Sequence, residues 1–128
     1  MKPSIRIAVI TDLHASLAPV GSRQGQYADI FLLRAVQRLN RHIKPDVVLV
    51  LGDLVDDPDD PSIASRYSSF CYTLALLDAP YIVIPGNHDL PASQFYQYLP
   101  TPDPFIDIKG FRFIIFPNDP EMPDCNAY

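Results

Sequence analysis

The chain has 128 residues, of which 48% are apolar, and a formal net charge of -5 at pH 7. These values predict one folded domain with a sizeable core, and the negative charge disfavours broad capture of nucleic acid or of an anionic membrane. No apolar run is long enough to span a membrane and no signal-peptide pattern stands at the start, so a cytoplasmic protein is expected.

Three continuous apolar runs predict the strands of a parallel sheet. They cover residues 5–10, 47–51 and 81–84, and such runs are typical of strands that are buried on both faces. Because ligands gather at the carboxyl ends of parallel strands, the residues that follow these runs are expected to share one rim of the sheet. The polar residues that follow them are Asp12, His14, Asp53, Asp56, Asn87, His88 and Asp89.

Helices are predicted between and after these strands. A loop at residues 15–26 overhangs the rim, and residues 29–43 then show the apolar spacing of an amphipathic helix. A second helix is expected at residues 62–77 with Ser62 as its N-cap, and a short helical piece at residues 91–99. The apolar face of the first helix is predicted to consist of Ile30, Leu33, Val36 and Leu39.

The end of the chain predicts a hairpin and a tail. Residues 105–116 alternate apolar and polar side chains around Lys109 and Gly110, which is typical of a β-hairpin. Residues 117–128 are rich in proline and aspartate and are expected to form a loose tail. Strands that alternate with helices indicate the α/β class, with one domain at residues 1–116.

The polar clusters at the strand ends point to a metal centre. Each cluster alone is ordinary, because Asp, Asn, Gly and His are common turn residues. Three clusters in the same position after three strand patterns are poorly explained by independent turns. Carboxylate, imidazole and amide groups on one rim would form a mostly oxygen-donor pocket suited to divalent metals and phosphate chemistry.

These motifs resemble the first three blocks of the calcineurin-like metallophosphoesterase family. The family blocks read Asp-x-His, Gly-Asp-x-x-Asp and Gly-Asn-His-Asp, and here they stand at residues 12–14, 52–56 and 86–89. The resemblance implies a βαβαβ double-sheet sandwich, mostly of parallel strands with a terminal hairpin. This sequence would cover the amino-terminal half of that fold.

The resemblance also implies a binuclear centre of divalent ions such as Mn, Fe or Zn. Asp12 and His14 would hold one ion. Asp53 would bridge the two ions, and Asn87 would hold the second through its side-chain carbonyl oxygen. Two ions held in this way clamp a phosphate group and activate a water molecule for in-line attack.

Two further residues are implied to be catalytic. His88 would stabilise the developing charge or protonate the leaving oxygen, and Asp89 would orient the His88 ring. Asp56 stays open between a functional role and a structural one, in which it caps a turn or supports a ligand.

The sequence departs from the family pattern after His88. The family continues with a lone His and a Gly-His-x-His block that complete both metal sites, whereas this sequence has no later histidine. The chain alone therefore offers the second ion only Asp53 and Asn87. Three origins stay open: a fragment of a longer protein, a shortened gene product, or one half of an assembly in which a second chain covers the sheet.

Three functional interpretations follow. The first is a hydrolase of phosphate mono- or diesters whose substrate the sequence does not specify. The second is a non-catalytic metal-binding or scaffold protein derived from the same fold, which the absent later histidines favour. The third places the clusters in another family of two-metal hydrolases. The order of the three motifs favours the first.

Overall fold

The computed structural model describes residues 4–116 and contains a three-stranded parallel sheet. Strands β1 (Ile7–Ile10), β2 (Val47–Val50) and β3 (Tyr81–Val83) lie side by side in that order, so β2 is central. Pairing of β1 with β2 begins at Ile7 and Val47. The arrangement confirms the predicted α/β class and places the carboxyl ends of all three strands at one rim.

Helices pack on one face of this sheet. Helix α1 (Ala28–Arg38) follows a 3-10 turn at Gly25–Tyr27 and continues into a π-helical turn at Leu39–Ile43. Helix α2 (Ile63–Leu74) packs against α1, and the short α3 (Ala92–Phe95) follows β3. The core consists chiefly of Ala28, Leu32, Val36, Val48, Val50, Leu54, Tyr67, Phe70, Leu74, Val83 and Phe95.

The buried side of α1 differs from the sequence prediction. Ala28, Leu32 and Val36 are buried, whereas Ile30 and Leu33 are 52% and 38% exposed. The sequence places apolar residues on more than one side of this helix, so their spacing alone does not select the side that meets the core. Packing against α2 and the sheet buries Ala28, Leu32 and Val36, which are spaced four residues apart.

The prediction that every strand is buried on both faces is wrong for β1. Ile7 and Val9 are 43% and 55% exposed, while Ala8 and Ile10 pack against the core. The reason is that β1 lies at the edge of the sheet and its outer face is not covered by any other part of residues 4–116. The sheet therefore exposes apolar surface on this face.

The predicted hairpin is confirmed as strands β4 (Phe105–Ile108) and β5 (Phe111–Ile114). Its turn residues Lys109 and Gly110 have φ values of 51° and 82°, as a two-residue hairpin turn requires. Nζ of Lys109 lies 2.6 Å from Oδ1 of Asp46, just before β2, so an ion pair joins the hairpin to the sheet.

Helix α2 begins where predicted, but the Ser62 side chain does not cap it. Instead, the backbone N–H and the hydroxyl of Ser62 both donate to Oδ1 of Asp60, at 2.7 and 2.6 Å. A carboxylate oxygen accepts two donors readily, so Asp60 orders the turn that leads into the helix.

Two further predictions concern the ends and the exterior of the protein. Within residues 4–116, none of the helices combines the length and the hydropathy that crossing a membrane requires. The loose tail predicted for residues 117–128 lies outside the described residues. The domain boundary at residue 116 stays a prediction.

Candidate metal centre

The loops that follow β1 and β2 run side by side beyond the ends of the strands. The backbone N–H of Asp12 donates to the carbonyl of Gly52 at 3.1 Å, and that of His14 donates to the carbonyl of Asp53 at 2.9 Å. The parallel pairing therefore continues into the polar motifs. Through these backbone bonds, Asp12 and His14 are fixed beside Asp53.

Three residues of these loops have a left-handed backbone conformation. The angle φ is 57° at Asp12, 44° at His14 and 52° at Asp53. This conformation costs a residue with a side chain about 1–2 kcal/mol, so it persists only where the surrounding structure imposes it. A cluster of such residues at one rim is typical of a functional site.

Two glycines bring the loop after β3 against the loop after β2. Gly52 has a φ of 83°, and a Cβ atom on it would overlap the backbone of Gly86. A Cβ atom on Gly86 would in turn overlap the backbone and carboxylate of Asp53. Because glycine alone permits this approach, the backbone N–H of His88 can donate to Oδ1 of Asp53, at 3.0 Å.

Ligand atoms of Asp12, His14 and Asp53 converge within 4.8 Å of one another. Nε2 of His14 lies 3.4 Å from Oδ1 of Asp12 and 3.9 Å from Oδ2 of Asp53. The side chains of His14 and Asp53 are mostly buried, whereas that of Asp12 is 58% exposed. The group is therefore built into the protein and open to solvent on the Asp12 side.

This donor set fits a divalent cation. Two carboxylates and an imidazole suit Mn, Fe and Zn alike. The pKa of Asp12 is held below its ordinary value, chiefly by the hydrogen bond from the Thr11 hydroxyl and then by the hydrogen bond and charge interaction with His14. Asp12 is therefore ionised at neutral pH. Asn87, expected to bind a second ion, has an exposed side chain directly after Gly86, and its role stays a prediction.

Asp56 contacts the edge of His14 that faces away from this group. Its Oδ1 lies 3.1 Å from Nδ1 of His14 and 3.0 Å from Nη2 of Arg23. A carboxylate behind a metal-binding histidine fixes the ring and its tautomer. This geometry favours the supporting role for Asp56. The sequence carries no signal for Arg23 other than its place in the predicted rim loop.

His88 stands beside the centre. Its ring lies 4.8 Å from that of His14, at an interplanar angle of 81°. Nδ1 of His88 lies 2.8 Å from the backbone carbonyl of Asp56. A carbonyl only accepts hydrogen bonds, so Nδ1 carries a proton there and Nε2 is left to exchange one.

Asp89, the residue expected to orient the His88 ring, makes its hydrogen bonds elsewhere in the structure. Asp89 is 6% exposed, and none of its hydrogen bonds reaches that ring, which is bound to Asp56 instead. Asp89 therefore holds the loops of the centre together from beneath. Its donors are the backbone N–H groups of Leu54, Val55 and Gly86 and the hydroxyl of Tyr67.

Burial governs the ionisation of Asp89 and Tyr67. Desolvation raises the pKa of Asp89, against the opposing effect of its hydrogen bonds. Desolvation, followed by the charge of Asp89, also raises the pKa of Tyr67, which therefore stays a hydrogen-bond donor. A tyrosine among the apolar residues of a helix carries no signal of such a role, so Tyr67 could not be identified from the sequence.

The chain belongs to the calcineurin-like phosphoesterase family. A model of this family matches residues 5–121, a range that contains every residue of the candidate centre. The match confirms the resemblance drawn from the three motifs. It also agrees with the observed parallel sheet and hairpin.

Curated relatives of this chain include proteins named as phosphodiesterases. Identity is 30% over 119 residues to a probable cyclic nucleotide phosphodiesterase of Coxiella burnetii, covering 86% of this chain and 44% of that protein. It is 35% over 94 residues to a 3',5'-cyclic adenosine monophosphate phosphodiesterase of Haemophilus influenzae, covering 69% and 31%. It is 46% over 46 residues to a probable glycerophosphodiester phosphodiesterase of Arcobacter nitrofigilis, covering 36% and 15%. The chain thus spans less than half the length of each.

Proposed function

We propose that this chain is the amino-terminal, metal-binding part of a phosphoesterase that hydrolyses phosphate esters at a binuclear metal centre. The observation that carries the proposal is the convergence of ligand atoms from Asp12, His14 and Asp53 within 4.8 Å, at the ends of two parallel strands. Family membership agrees with this chemistry.

In this proposal Asp12 and His14 hold one divalent ion through an oxygen and a nitrogen atom. Asp53 bridges to a second ion, to which Asn87 contributes its side-chain oxygen. The bound ions supply positive charge for the phosphate group and acidify the attacking water. The hydrogen bond from the backbone N–H of His88 holds the Asp53 carboxylate in place before a substrate binds.

His88 is proposed to be the residue that moves a proton. Its Nδ1 is engaged with the carbonyl of Asp56, so Nε2 is the nitrogen that would protonate the leaving oxygen or stabilise its charge. Asp89 does not touch the reacting groups in this proposal. It positions the loop that carries His88, because its carboxylate binds the backbone of both neighbouring loops.

Phosphate diesters are the favoured substrate class, with monoesters as the second. The support is the name phosphodiesterase shared by the relatives, two of which are named for cyclic nucleotides and one for glycerophosphodiesters. We further propose, from the sequence alone, that the protein acts in the cytoplasm and does not bind nucleic acid through its overall charge.

Further polypeptide is proposed to complete the centre. The histidines of this chain are His14, His42 and His88, and His42 is exposed in the π-helical turn that follows α1. The second ion therefore has too few protein ligands here. The exposed apolar side chains of Ile7 and Val9 support the idea that another segment or a second chain covers the sheet.

A non-catalytic metal-binding or scaffold protein is the alternative. The observation that favours it is the same shortage of ligands for a second ion. Under this alternative the chain takes up metal but does not hydrolyse a phosphate ester. An Asp53→Asn change then abolishes metal uptake, and hydrolysis is absent both with and without the change.

The test is metal analysis combined with hydrolysis of an aryl phosphate diester and monoester in the presence of Mn²⁺. Two ions per chain with turnover that Asp53→Asn abolishes would support the phosphoesterase. One ion per chain and no turnover, with both results unchanged when the remaining polypeptide is supplied, would support the alternative. If the chain took up no metal with or without the remaining polypeptide, both proposed functions would be excluded.

A further inference from the structure

Two groups of metal-binding side chains share His14. The first consists of Asp12, His14 and Asp53, and the second joins His14 to Asp56 and His88, again with ligand atoms within 4.8 Å. Nε2 of His14 faces the first group, whereas Nδ1 is the nitrogen 3.1 Å from Asp56. A metal ion in the second group would compete for His14 and would occupy His88.

Arg23 covers the second group. Its Nη2 lies 3.0 Å from Oδ1 of Asp56, and its Nη1 lies 3.2 Å from Nδ1 of His14. A guanidinium group is always charged, so it repels a metal ion, and its Nη2 donates to the Asp56 oxygen that would bind one. Nη1 is only in contact with His14, because an Nδ1 that carries a proton for Asp56 cannot also accept one from Arg23. Within residues 4–116, Asp12 and Asp53 have no such contact with an arginine or a lysine.

The backbone around Arg23 holds it in this place. Arg23 and Val20 exchange two backbone hydrogen bonds of 3.0 and 3.1 Å across a tight turn, in which Gly21 has a φ of 59°. Gly25 then packs so closely on the carbonyl of His14 that a Cβ atom would overlap it. The guanidinium is therefore aimed by a loop that is itself fixed to His14.

We propose that Arg23 is a positioning residue that assigns His14 to the group of Asp12 and Asp53 and keeps metal out of the group with Asp56 and His88. This inference rests on the metal-binding part of the proposed function. With Arg23 paired to Asp56, that carboxylate accepts the Nδ1 proton of His14 and leaves the Nε2 lone pair for the ion. His88 then stays free of metal.

The test is a titration of the purified full chain with Mn²⁺, in which electron paramagnetic resonance measures the free ion. His88→Ala is made both in the wild-type chain and in the Arg23→Gln variant. In the wild type, it should change the Mn²⁺ dissociation constant by less than about twofold. In the Arg23→Gln background it should weaken binding by about fivefold or more, because His88 has become a ligand.

Two variants serve as controls. Arg34→Gln removes the same charge from an exposed position on α1, and His88→Ala should stay without effect in that background. Arg23→Lys keeps the charge but not the two-nitrogen contact. In the Arg23→Lys background, His88→Ala should therefore weaken Mn²⁺ binding less than it does in the Arg23→Gln background.

Equal effects of His88→Ala with and without Arg23 would overturn this inference and leave the proposed function intact. A wild-type chain that binds no Mn²⁺ would overturn both. Nitrogen chemical shifts of His14 in the unmodified, metal-free chain provide a check that needs no variant. A proton on Nδ1 is expected, and a proton on Nε2 alone would contradict the assignment.

Discussion

The hydroxyl group of Tyr67 donates a hydrogen bond of 2.9 Å to Oδ1 of Asp89 and accepts one of 3.1 Å from the backbone of Leu90. Tyr67 is fully buried in α2, whereas Asp89 ends the loop that carries the proposed ligand Asn87 and the proposed catalytic residue His88. The position of that loop is therefore set by the core of the domain as well as by the strand that precedes it.

Tyr67→Phe should destabilise the protein by about 1–3 kcal/mol, because it removes one donor from the buried carboxylate of Asp89 and leaves the N–H of Leu90 without its acceptor. Chemical denaturation measures the free energy of unfolding. Tyr72→Phe is the matched control, since Tyr72 lies on the same helix and is 78% exposed. Equal stability of the two variants would contradict the importance of this contact.

The pH dependence of folding should reflect opposite shifts at two carboxyl groups. Burial raises the pKa of Asp89 above 3.8, so between that value and its raised pKa the folded chain binds more protons than the unfolded chain. Its contribution to the free energy of unfolding therefore falls as the pH rises through this range and is constant above it.

Asp46 behaves in the opposite way. The hydrogen bond from Lys109 lowers the pKa of Asp46, so its stabilising contribution is present above 3.8 and is lost as the pH falls through the lowered pKa. Carboxyl-carbon NMR of the metal-free chain should show Asp89 titrating at a higher pH than Asp46. The reverse order would show that the hydrogen bonds of Asp89 outweigh its burial.

Gly52→Ala and Gly110→Ala separate steric overlap from backbone strain, because the two glycines have nearly equal φ values of 83° and 82°. A Cβ atom meets open space at Gly110 but overlaps Gly86 at Gly52. Gly110→Ala should cost about 1–2 kcal/mol. Gly52→Ala should cost about 2–4 kcal/mol and also weaken Mn²⁺ binding. If both variants bound metal like the wild type, the glycine contact would not support the centre.

Asp53→Ala should weaken metal binding by about a hundredfold or more, because it removes a ligand rather than a residue that supports one. Elemental analysis after dialysis against Mn²⁺ measures the ion content. Asp59→Ala removes the same charge from the exposed loop that follows and should retain the metal. A variant without Asp53 that kept its ions would exclude this residue as the bridge.

His88→Ala should lower turnover by about a hundredfold or more in the metal-loaded protein with the remaining polypeptide supplied, and its metal content should be nearly unchanged. The reason is that His88 transfers a proton and does not bind an ion. His42→Ala is the control, because His42 is exposed in the π-helical turn that follows α1. Parallel loss of metal and turnover in the His88 variant would assign it to the ligands instead.

The pattern of residues along the chain was sufficient to predict the sheet and the rim. Each of the three apolar runs contains a strand, and the predicted hairpin turn lies at Lys109 and Gly110. Parallel strands end at the same edge, so the convergence of Asp12, His14 and Asp53 follows from local sequence once the strands are known. The strands, the hairpin turn and the residues at the rim are determined by residues that are close to one another in the sequence.

What the sequence did not determine depends on residues that are distant in the chain. Spacing could not choose the buried side of α1 or show that β1 is covered on one face only, because both depend on which neighbours the fold supplies. Asp56 supports His14 through its carboxylate and His88 through its backbone carbonyl, and these contacts join residues up to 42 positions apart. The contacts of Arg23 and Tyr67 likewise join residues that are distant in the chain. The sequence by itself therefore determined which groups stand at the rim, and only the tertiary structure decided which of them face one another.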